Sequence, residues 1–85
     1  MPSTTRTRLL EKCSVTIAGH RTSVALEPEF WAVLREEASR RDISFARLIS
    51  AIDLARGERP LASALRLHAL AAVQGRAQGL GLGPM

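Results

Sequence analysis

Eighty-five residues suffice for one small domain, and a chain this short buries only about 60–65% of its unfolded surface, which favours a core shared between copies. A hydrophobic fraction of 46% excludes disorder throughout, and the scarcity of aromatics (Phe30, Trp31 and Phe45) excludes a large aromatic-lined pocket. The net charge of +4 is unevenly placed: Arg6, Arg8, Lys12 and Arg21 stand against Glu11 before residue 27, whereas six arginines and six acids balance over residues 28–60, an asymmetry that suits a polyanionic partner.

Residues 1–11 are polar and without a period, and are expected to form a mobile basic arm. From Lys12 to Ala18 the chain alternates, with Cys13, Val15 and Ile17 on one side and Ser14 and Thr16 on the other. Ala18-Gly19-His20 suits a turn, because Gly19 can supply a positive φ. Residues 12–26 are therefore either a hairpin or one long strand kinked at Gly19. In the second half of this stretch Thr22, Val24 and Leu26 share a face, and Arg21, Ser23 and Ala25 share the other.

At Glu27-Pro28 the period changes from two to nearly four. Pro28 fits the first turn of a helix and Glu29 the positive end of its dipole, so a first helix is predicted from Pro28 to about Arg41. Ser44 is a good N-cap for a second helix whose buried face carries Phe45, Leu48, Ile49 and Ile52, with Ile43 stapling before the cap. Gly57 and Pro60 end it. A third helix is predicted from about Leu61 to Gln74, rich in Ala and Leu, and the Gly-rich residues 75–85 are expected to be disordered. The domain proper is thus 12–74.

Strand, Leu-Glu-Pro-Glu junction, helix, short turn and a second helix with an N-cap Ser follow one another without a gap from Arg21 to Arg56. This order resembles the ribbon-helix-helix DNA-binding proteins of the MetJ/Arc type. Ser14-Val15-Thr16-Ile17-Ala18-Gly19-His20-Arg21-Thr22-Ser23 with Leu26-Glu27-Pro28-Glu29-Phe30-Trp31, and later Ser63-Ala64-Leu65-Arg66, look like one bacterial subgroup of it, which extends the resemblance to about residue 70. The resemblance implies a mainly α fold with a short β-ribbon, here with an extra N-terminal strand and a third C-terminal helix, that forms a homodimer. Two copies would pair their strands and lay the ribbon in the major groove of duplex DNA. Arg21, Ser23 and Ala25 would meet base edges; the N–H groups of Ser44, Phe45 and Ala46 would hold a phosphate, with Arg6, Arg8 and Lys12 adding charge. Val24, Leu26, Phe30, Trp31, Leu34, Leu48, Ile49 and Ile52 would form the shared core, Trp31 as a plug between copies. Ala25 makes discrimination weak at its step. Asp42 stands where the family commonly has a Gly in the left-handed conformation, which Asp tolerates. Should residues 12–18 fold back on the ribbon strand, a dimer would carry four strands, roughly 15–19 Å across, too wide to enter a groove of about 12 Å lying flat, and the chain would then use a different surface or not be a ribbon-in-groove reader at all.

Catalysis is not expected: no Ser/His/Asp spacing, phosphate loop or HExxH run occurs, and Glu36 and Glu37, being adjacent, point about 100° apart. A lone Cys13 allows neither an intrachain disulfide nor a Cys-based zinc site, and His20 and His68 lack partners at metal spacing, so no metal or cofactor is expected. The N-terminus carries no secretory signal, and Leu61–Val73, interrupted by Arg66 and His68, is too short to span a bilayer. The expectation is a cytoplasmic transcriptional repressor or autoregulator, with helix three broadening the dimer contact or pairing dimers on adjacent half-sites. The alternative is an antitoxin-like or scaffold module that holds a protein partner with residues 61–74.

Overall fold

A computed structural model describes residues 9–77 of the chain, and the arm residues Arg6 and Arg8 and the tail from residue 78 lie outside them. The elements run β1 (Glu11–Ile17), β2 (His20–Leu26), α1 (Pro28–Arg41), α2 (Phe45–Ala55) and α3 (Leu61–Ala77). The fold is thus mainly helical with one two-stranded antiparallel sheet.

Of the two arrangements open to residues 12–26, the chain adopts the hairpin. Ile17 pairs with His20 and Glu11 with Leu26, leaving Ala18 and Gly19 as a two-residue turn. Both have positive φ, 52° and 83°, the requirement of the turn whose twist matches that of its strands. Gly19 meets this freely; Ala18 does so against the preference of its Cβ.

Each helix boundary follows its local chemistry. Glu27 is extended, and its carbonyl accepts from Phe30 N–H at 2.9 Å and Trp31 N–H at 3.3 Å, while Pro28 fills the position that needs no donor. α1 ends with Asp42 in the left-handed region (φ 59°, ψ 42°), Ile43 N–H donating to Ala38 O and Asp42 N–H to Ser39 O, both at 3.0 Å, the crossed pair of a Schellman stop. Ser44 Oγ accepts Arg47 N–H at 3.0 Å, capping α2. Gly57, at φ 63°, turns the chain out of α2. α3 continues three residues past the expected stop at Gln74, because one interior Gly costs only about 1 kcal/mol against Ala and the residues around Gly75 favour helix.

The core lies between the hairpin and the helices. Val15, Val24 and Leu26 come from the strands, Trp31, Leu34 and Ala38 from α1, Leu48, Ile49 and Ile52 from α2, and Ala64, Leu65 and Ala69 from α3. Burying one face of a two-stranded hairpin on helices gives it a stability it would lack alone in water. Trp31 is the joint: its ring meets Phe45 edge to face, centroids 5.9 Å apart, and its Nε1–H donates to Glu11 O at 2.7 Å, which fastens the root of β1 to α1.

Candidate nucleic-acid interface

Strand alternation places every second residue of the hairpin on the side away from the helices. With the observed register that outer face has three rows: Lys12 beside Ala25, Ser14 beside Ser23, and Thr16 beside Arg21. All are exposed except Ala25, which is half-buried. Arg21, Ser23 and Ala25, the expected base-reading set, thus share one face, and Lys12 joins them. Sequence reading did not include Ser14 and Thr16 in that set; the cross-strand register brings them there, and a one-dimensional pattern does not contain it.

Three arginines of the helices are paired with carboxylates. Arg41 bonds Glu37 at 2.7 Å, Arg56 bonds Asp53 at 2.6 Å, and Arg66 bonds Glu27 at 2.9 Å. The Arg66 hydrogen bond holds the Glu27 carboxyl below its ordinary value. Among the described residues no side chain bonds Lys12 or Arg21. Their charge is uncompensated and faces solvent.

Ser44, Phe45 and Ala46 stand at the start of α2, where the first-turn N–H groups have no carbonyl of their own helix to meet. Ser44 and Ala46 are exposed. Two cations missed by the sequence reading flank this end. The Arg35 guanidinium lies 5.3 Å from the Phe45 ring centroid and contacts Cys13 Sγ at 3.4 Å, and the exposed Arg47 is the third residue of the helix. Helical periodicity marks Arg35 only as outward-facing; its placement over Phe45 depends on how two helices pack.

The residues expected in a core between copies are found in the core of one chain. Leu26, Trp31, Leu34, Leu48 and Ile49 are 0% exposed, Val24 and Ile52 are 7%, and Phe30 is half-buried under Arg66. Within one chain Trp31 is already fully buried, with Phe45, the Arg35 guanidinium and the Glu11 carbonyl around its ring. Exposed apolar side chains occur along α3, at Leu67, Leu70 and Val73 (47, 48 and 43%), at Leu54 of α2 (86%), and at Leu9 and Leu10 before β1 (67 and 50%).

Beside that stripe an open cleft of about 440 Å³ is lined by Leu48, Ile52, Ala64 and Leu67, with Arg41 and His68 at its side. His68 Nε2 is buried there with no hydrogen-bond partner. Burial, then the charge of Arg41, push its pKa below the ordinary 6.5, with Glu37 opposing. Among the described residues no group of His, Cys, Asp or Glu could hold a metal ion, and no helix is long and apolar enough to cross a membrane.

A small domain that shows an unneutralised basic hairpin face and a cation-flanked helix start has the makings of a polyanion-binding module. The ribbon-helix-helix domain model matches residues 10–73, and the chain belongs to that family. Ribbon-helix-helix domains are DNA-binding transcription regulators rather than enzymes, and they dimerise. No curated protein and no solved structure matches the chain.

Proposed function

We propose that the protein is a homodimeric transcriptional repressor or autoregulator that lays a β-ribbon in the major groove of duplex DNA and, by occupying a promoter, excludes polymerase. Its subgroup is the bacterial one marked by the Gly-His-Arg-Thr-Ser run and Phe30-Trp31. Arg21 is the principal base reader, able to pair bidentately with guanine, Ser23 a donor or acceptor, and Ala25 a methyl contact to thymine. The start of α2 (Ser44, Phe45, Ala46) receives a backbone phosphate, and Lys12 with the arm residues Arg6 and Arg8 adds charge. The observation that carries this reading is the outer face of the hairpin, where Lys12 and Arg21 lie exposed and unpaired while the helical arginines Arg41, Arg56 and Arg66 are each matched by a carboxylate.

With the core sealed inside one chain, the stripe Leu67, Leu70 and Val73 is the surface we assign to self-association. The same stripe supports a second reading, in which it holds a different protein. Truncation after Gly57 cannot test either reading, since it removes Leu65 from the core. Leu67→Glu with Leu70→Glu leaves the core intact and is the informative change.

The experiment is a gel shift of the full-length protein on its own upstream DNA across a salt series, together with sedimentation of wild type and the double variant. The expected result is a shifted band whose affinity falls steeply with salt, and a dimer that the double variant converts to monomer. No shift at low salt overturns the repressor reading. A dimer untouched by the variant, with loss of some other bound protein, favours the second.

A further inference from the structure

β1 is an addition to the single strand that each copy lends to a ribbon, and its place beside β2 gives it a task of its own. Resting on the reading of the protein as a dimer that sets a β-ribbon in the major groove, with β2 as the strand of that ribbon, we infer that β1 grips the DNA backbone at the rim of the groove. Ser14, Thr16 and Lys12 make the contact, and β1 reads no base.

The open edge of β2 decides where β1 lies. The hairpin closes in two residues, so Ile17 and His20 exchange both of their backbone hydrogen bonds, and bonded and non-bonded pairs alternate from there. Thr22, Val24 and Leu26 therefore turn their N–H and C=O groups toward β1, while Arg21, Ser23 and Ala25 turn theirs to the far edge. A second copy of β2 can join that edge without displacing β1. The sheet of the dimer then has the two β2 strands inside and a β1 strand on each flank.

Widths assign the two kinds of strand to different parts of the duplex. The β2 axes stand about 4.8 Å apart and, with their own thickness, fit a groove of about 12 Å. The β1 axes are three such spacings apart, about 14 Å, and fall on the phosphate walls rather than between them. The sheet as a whole cannot enter flat; its inner pair can. A twist of about 20–25° per strand rotates each β1 against the groove direction, so that it crosses the rim.

Side-chain length and chemistry match this division. On the outer face Ser14 stands beside Ser23 and Thr16 beside Arg21, and all four are exposed. Arg21 is long enough to reach a base edge from the sheet. The short hydroxyls of Ser14 and Thr16 suit an acceptor close to the strand, as a phosphate oxygen on the rim is. Lys12, exposed and without a bonded side chain among the described residues, completes the outward set of β1. All three can donate a hydrogen bond and none is acidic, since Glu11 belongs to the other alternation.

The test selects duplexes from a randomised library with the full-length protein. Affinity for the enriched duplex and its single-base variants is then measured for wild type, Ser14→Ala/Thr16→Val, Lys12→Gln and Arg21→Ala. Thr16→Val keeps shape and β-branching, and all these positions are exposed, so folding and dimerisation are retained and are checked by circular dichroism and sedimentation. The double variant should bind every duplex more weakly by one common factor, on the order of tenfold, because donors to phosphate are lost. Its base preference and salt slope should not change, since no charge is removed. Lys12→Gln should likewise spare base preference, and should lower the salt slope by about one for each copy. The inference is overturned if the double variant changes preference at any base pair, which would put β1 inside the groove. It is overturned equally if the double variant and Lys12→Gln bind every duplex as the wild type does, which would put β1 off the DNA. Arg21→Ala keeps the two levels apart. A change of base preference there upholds β2 as the reader whatever β1 does, and a wild type that enriches no motif removes the ribbon reading and this inference together.

Discussion

The outer face of the hairpin and the helical layer use the same cation in opposite ways. In the helices Arg41, Arg56 and Arg66 reach carboxylates at 2.6–2.9 Å, and Arg35 lies over Trp31 and Phe45. On the hairpin Lys12 and Arg21 stand exposed without a bonded partner among the described residues. Partly exposed ion pairs add only about 0–1 kcal/mol each, so the difference matters little for stability. It matters for the field around the molecule: the pairs reduce the charge that Arg41, Arg56 and Arg66 project, whereas Lys12 and Arg21 project theirs in full from the outer face of the hairpin.

The largest effect is expected where the two regions are joined. Trp31→Ala removes a fully buried indole and its bond to Glu11 O, and should lower stability by about 3–5 kcal/mol, a large part of what a small domain has. Hairpin and helices should melt together in urea, followed by circular dichroism. A variant with near-native stability would show that the two regions do not share one core. Next comes the contrast between two arginines. Arg21→Ala should weaken binding to an enriched duplex by about ten- to a hundredfold (~1–3 kcal/mol) while changing stability by less than about 0.5 kcal/mol. Arg56→Ala should do the reverse, because it loses Asp53 at 2.6 Å and Arg59 O at 2.7 Å: a modest drop in melting temperature and little change in DNA affinity. Equal effects of the two on binding would erase the distinction between paired and unpaired cations.

What could be read from the sequence divides along local and non-local lines. Pro28, Ser44 and Pro60 fix helix starts through their own backbone chemistry, and Asp42 tolerates the left-handed stop it was expected to occupy. The alternation of Arg21, Ser23 and Ala25 against Thr22, Val24 and Leu26 gave the two faces of β2. Whether Lys12–Ala18 folded back was open, because a hairpin and a long strand share one alternation. Ala18, which also needs a positive φ, carries no sign of it. The membership of Ser14 and Thr16 in the outer face depends on cross-strand register, and the Arg66–Glu27 pair joins residues 39 apart in sequence, so neither has a local signal. Trp31 was recognisable as a core residue, but periodicity cannot tell which chain closes over it.

Ser44 tests whether the helix start belongs with the structural side of the contrast or the binding side. Its Oγ accepts Arg47 N–H at 3.0 Å, so Ser44→Ala should cost about 1 kcal/mol by loss of the cap. Ser44→Asp keeps a capping oxygen and should hold stability near wild type, yet it sets a negative charge where a phosphate is proposed to sit. Retained melting temperature with weakened binding assigns the α2 start to the DNA contact. Retained binding would confine Ser44 to its role as a cap.

The smallest effect concerns His68, and it probes the helical side alone. Its Nε2 is buried without a partner, and burial together with Arg41 depresses its pKa below 6.5 against the pull of Glu37; Arg56 and Arg59 line the same cleft and add no negative charge. Above pH 6.5 the imidazole is neutral in the folded and unfolded chains alike, so it imposes no pH dependence there. As pH falls through that value the unfolded chain takes up the proton first, and the folded state loses relative stability until its own lower pKa is reached. The melting temperature should therefore decline on moving from pH 7 to about pH 5.5, above the range in which Glu27 titrates, since the Arg66 bond depresses that carboxyl from 4.5. His68→Gln removes the titration and should flatten the decline. Persistence of the slope in His68→Gln would mean that acid acts elsewhere in the fold, and that the cleft beside α3 bears none of the proton linkage.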